Sequence, residues 1–63
     1  MTQKELSYLE DALGHETNII KIIEESLKNI DDEKISTFMN KELTIHNEIK
    51  QQLMNKMEGK VSE

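Results

Sequence analysis

The sequence predicts an all-α fold: a two-helix antiparallel hairpin, two copies of which pair into a four-helix bundle. Three observations carry that prediction. Apolar residues recur at helical spacing in two long runs, no proline interrupts either run, and the chain of 63 residues is too short to bury a sufficient core alone. With no cysteine available for disulfides, the missing core is most simply supplied by a second chain.

The first helix is expected over about residues 3–29. Leu6, Leu9, Ala12, Leu13, Ile19, Ile20, Ile23, Leu27 and Ile30 fall on one face at helical spacing. Gly14 lies inside this run at a cost of about 1 kcal/mol relative to alanine, which a close helix approach or simple exposure would explain. Tyr8 suits an interface, with its hydroxyl in water. Lys21, Glu24, Glu25 and Lys28 form the mixed charges of a solvated face.

A turn is expected at residues 30–31, because Asn29, Asp31 and Asp32 can draw backbone donors out of the helix. Asp32 is the expected N-cap of a second helix over about 32–58, with Glu33 placing negative charge at the positive end of its dipole. Ile35, Phe38, Met39, Glu42, Ile45, His46, Ile49, Leu53 and Met57 make the second stripe. Met39, Met54 and Met57 read as core at this spacing, or as an adaptable strip for a partner. Gly59 is the expected C′ residue, and residues 59–63 are expected to fray. So short a turn makes the helices antiparallel neighbours, and two such hairpins give a bundle with crossing angles near about 20°.

Composition narrows the function classes. A net charge of −5 disfavours nucleic acid and anionic membranes as partners. No apolar run exceeds two residues, so no segment reads as a membrane span, and no secretory signal is visible at Met1-Thr2-Gln3-Lys4-Glu5; a cytoplasmic location is expected. There is no Gly-rich phosphate loop, no nucleophile with a base and an orienting group, and no His-Glu-x-x-His helix. The chain is therefore expected to be non-enzymatic.

Chemistry, if present, concentrates where Gly14-His15-Glu16-Thr17-Asn18 interrupts the first stripe and leaves Glu16 on the apolar seam. A carboxylate there needs a partner or a cation. Pairing the helices about the turn sets positions that sum to roughly 62 at one height, which brings Glu16 level with His46, with Glu42 one turn away and His15 alongside. Two readings follow. Glu16 and His46 form a hydrogen-bonded pair that fixes register, or Glu16, Glu42 and His46 from two chains, with His15 as a further candidate, bind iron, manganese or zinc in the manner of di-metal bundle sites. Glu42 and His46 are four apart, where the di-metal motif spaces them by three.

The run Lys4-Glu5-Leu6-Ser7-Tyr8-Leu9-Glu10-Asp11-Ala12-Leu13-Gly14-His15-Glu16 resembles the opening of small ferritin-like proteins of the spore coat F type, and the similarity continues through Asp31-Asp32 to Phe38 and His46. The resemblance implies a ferritin-like helical bundle of which this chain is about half, association with the spore coat, and other coat proteins as partners. It does not imply ferroxidase chemistry, since the Glu-x-x-His motif is absent. A structural or interaction protein acting as a homodimer is the expected function; a di-metal-binding dimer and a small helical adaptor of a protein partner are the alternatives.

Overall fold

The computed structural model describes residues 1–61, and the side-chain surroundings of residues 1–59. Two helices make up the described chain, α1 (Gln3–Leu27) and α2 (Glu33–Val61), packed along their length as a hairpin measuring 46 × 14 × 12 Å. No strand is present among the described residues. The predicted all-α hairpin is what forms.

Helix α1 begins at a capping box that the sequence analysis did not single out. The Thr2 hydroxyl accepts from the Glu5 N–H at 3.1 Å, and the Glu5 carboxylate accepts from the Thr2 N–H at 2.9 Å, so two of the free donors at the helix start are satisfied reciprocally. Its end comes at Leu27, two residues before the expected Asn29. Lys28 N–H donates to the Glu25 carbonyl at 3.2 Å and Asn29 N–H to that of Ser26 at 3.0 Å, a tightening to i,i+3 bonds. The Asn29 side chain adds a bond of its own to the Glu25 carbonyl at 3.2 Å.

Asp32 is the N-cap of α2, as expected: its carboxylate accepts from the Ile35 N–H at 3.0 Å, three residues on. The far end departs from expectation. Gly59 is not a C′ residue but lies within α2, which continues to Val61 with no glycine at positive φ. A helix that simply runs on does not need the left-handed conformation for which glycine is favoured. Of the expected frayed tail, residues 62–63 lie outside the described residues.

The interface between the helices is a pair of stripes with alternating spacings of three and four. Leu6, Leu9, Leu13, Glu16, Ile20, Ile23 and Leu27 of α1 face Ser36, Met39, Leu43, His46, Lys50, Leu53 and Met57 of α2, and all are half-buried or buried. Lys50 is half-buried in this series, as a lysine can be when its aliphatic stem covers apolar surface and its charge stays in water. Only Ile20 and Ile23 are buried among the described residues, at 7% and 8% exposure, so the core sits towards the turn.

Gly14 is exposed, and a Cβ built on it meets nothing within 4 Å, which removes close approach of α2 as its reason. Gly14→Ala is therefore expected to stabilise the fold by about 0.5–1 kcal/mol through the entropy of the unfolded chain. Urea denaturation checks this; a loss of stability would show that the glycine is needed for contacts outside the hairpin.

Candidate functional site

The polar layer forms where the register argument places it. Glu16 and His46 occupy facing positions on the two seam stripes, flanked on α1 by Leu13 and Ile20 and on α2 by Leu43. The His46 ring nitrogen Nδ1 and the Glu16 Oε1 are 2.6 Å apart, with 22% and 13% of the respective side chains exposed. An ionised carboxylate can only accept, so Nδ1 carries the hydrogen and donates it. At this length the bond is a short, charge-assisted one, and it fixes the orientation of the ring.

The other edge of the ring is turned towards Glu42. His46 Nε2 lies 3.7 Å from Glu42 Oε2, too far for a hydrogen bond and within the range of an ion pair. The Glu42 side chain is 38% exposed, because it leaves α2 beside the seam rather than on it. A carboxylate, an imidazole and a second carboxylate thus stand in line across the hairpin, with the imidazole in the middle.

This line limits the chemistry of one chain. Glu16 and Glu42 sit at opposite edges of the ring, so a single ion cannot take both carboxylates and the same imidazole. Among the described residues no three His, Cys, Asp or Glu side chains are grouped closely enough to hold a metal ion. What one chain can direct at a cation is Glu42 together with Nε2. Glu16 then acts as the carboxylate that metal-binding histidines commonly employ on their second nitrogen. His15 is exposed, about 100° round α1 from Glu16, and does not join the line.

Sequence reasoning found Glu16 and His46 and their contact. It did not separate Glu42 from His46, which the single broad stripe had placed together, and it passed over Leu43, a seam residue next to Glu42. The signal was available: the series 36, 39, 43, 46, 50, 53, 57 keeps the same alternating spacing as the α1 stripe.

Elsewhere, an open groove of about 530 Å³ lies near the start of α1, lined by Met1, Glu5, Tyr8, Leu9 and Lys56. Its Glu5 carboxylate is engaged in the helix cap. No helix among the described residues is long and apolar enough to cross a membrane. Comparison with family models, curated proteins and solved structures finds no match to this chain.

Proposed function

We propose that this chain is a non-enzymatic helical interaction protein that works as a homodimer, two hairpins forming a four-helix bundle. The observation that carries the proposal is the poverty of the core: Ile20 and Ile23 are the only buried apolar side chains among the described residues, and neither is fully buried, while eight large apolar side chains stay substantially in water. A hairpin of this size gains too little from burial to offset the ordering of its backbone, and association is the direct remedy. Sedimentation equilibrium is the test. A dimer at micromolar concentration is expected, and a well-folded monomer would overturn the proposal.

A role in the spore coat rests on the coat F resemblance of Lys4 to Glu16. It predicts expression confined to sporulation and co-fractionation with coat material. Constitutive synthesis in growing cells would instead favour the adaptor reading.

The second reading, a metal-binding dimer, is favoured by one specific observation: Glu16 holds the His46 ring with Nε2 directed at Glu42. Two chains would then bring two carboxylates and two imidazoles to an ion of iron, manganese or zinc. On the proposal preferred here the layer sets register and needs no metal. Manganese, zinc and ferrous ions are accordingly expected to leave the melting temperature of the chelator-free protein unchanged. A rise of several degrees that Glu42→Gln abolishes would establish the metal reading, since only an assembled site couples binding to folding.

A further inference from the structure

The apolar residues that the helix interface leaves in water are not scattered. On α1 they are Tyr8 and Ile22, with His15 and the half-buried Ala12 and Ile19 in the same series; on α2 they are Ile35, Phe38, Ile45 and Ile49, with Glu42 in the same series. Each of these positions comes one residue before a seam position, and so lies about 100° round its helix from the seam, in the same rotational sense. Because the helices are antiparallel, equal offsets in that sense bring both series to the same side of the hairpin. Of the eight exposed large apolar residues, six belong to this side, and only Met1 and Met54 do not.

We infer that this side is the surface on which a second copy of the chain docks, an inference that rests on the dimer proposed above and specifies its face. The area supports a second copy. Tyr8, Ile22, Ile35, Phe38, Ile45 and Ile49 are between 37% and 60% exposed, which amounts to roughly 550 Å² of mostly apolar surface. With the half-buried Ile19 and Ala12 and a polar rim added, this approaches the ~800 Å² per partner of a stable interface. The depleted core supports it too, because covering this side converts a two-helix layer into a bundle with a continuous interior. The face also supplies a partner for its buried charge. Glu42, halfway along the α2 series, would lose water on docking, and the adjacent His46 Nε2 at 3.7 Å compensates it when the ring carries both protons.

The test is sedimentation of the full chain with charge placed on this face and off it. Phe38→Glu and Ile22→Glu are each expected to weaken dimerisation at least 100-fold, whereas Met54→Glu, at an apolar residue exposed on a different side, changes it less than 3-fold. Since a separated hairpin can lose its fold, a milder readout accompanies these variants. In a chain with no native cysteine, alkylation of Ile45→Cys by iodoacetamide is expected to slow at least 10-fold between dilute and concentrated protein, and that of Met54→Cys to stay unchanged. A wild-type dimer that survives Phe38→Glu and Ile22→Glu, or an Ile45→Cys thiol that reacts equally fast at all concentrations, overturns the face while leaving the dimer standing. A wild-type chain that is monomeric at all concentrations removes both, and leaves the surface to a different protein.

Discussion

Ile23→Ala is expected to lower the stability of the protein by about 2–3 kcal/mol, and Ile20→Ala by a similar amount. Both side chains are less than one-tenth exposed, and they sit one turn apart on the α1 seam. Each removal forfeits the transfer free energy of three carbons and leaves a space that a two-helix layer only partly closes. The lower part of the range measured for buried isoleucines applies, because the surroundings can relax towards solvent. For a chain of 63 residues the total stability is of order 3–9 kcal/mol, so either loss is a large fraction of the whole. Met54→Ala, outside the seam and the exposed apolar side, is expected to cost less than about 0.5 kcal/mol. Guanidinium unfolding at fixed protein concentration checks the set; losses under about 1 kcal/mol at both isoleucines would show that the core lies elsewhere.

The elements were legible because the local signals are independent of packing. Asp32 caps α2 for reasons written in its own side chain, and the register that sets Glu16 opposite His46 needs only the place of the turn and the helical rise. The rotation of α2 about its axis is a different matter. Its apolar residues cover an arc wide enough for two interfaces, and hydrophobicity alone does not say which half meets α1. Ile45 and His46, adjacent in sequence, end up in different environments: Ile45 in water, His46 on the seam. The half that meets α1 is the series 36, 39, 43, 46, 50, 53 and 57, which repeats the alternating spacing of the α1 stripe and sets Glu16 against His46. The ends were the other weak point. Competing side-chain bonds from Asn29 shorten α1, and Gly59 is carried inside α2 because propagation of an existing helix costs little at its last turn.

The polar layer gives the second large effect. Glu16→Ala is expected to destabilise the protein by about 2–3 kcal/mol, since it leaves the His46 N–H half-buried without its acceptor and opens a gap on the seam. His46→Ala is expected to cost about as much, by stranding the Glu16 carboxylate among Leu13, Ile20 and Leu43. The pair is in direct contact at 2.6 Å, so the losses do not add: the double alanine variant is expected to fall about 1.5–3 kcal/mol short of their sum. The decisive variant is the double replacement Glu16→Leu with His46→Leu. A polar pair kept for register, rather than for stability, is replaced at little cost by apolar side chains of suitable size. In a Glu42→Gln background, which removes the carboxylate that docking would otherwise leave without its histidine, the leucine pair is therefore expected to match or exceed its parent in urea unfolding. What it forfeits is the feature that tells one helix level from the next. Uniform seams slide, and a single buried polar contact penalises every register but one. Broadened amide resonances in the leucine variant, against sharp ones in its parent, are the expected signature. A leucine pair that is both less stable and equally sharp would show that Glu16 and His46 hold the hairpin together instead of aligning it.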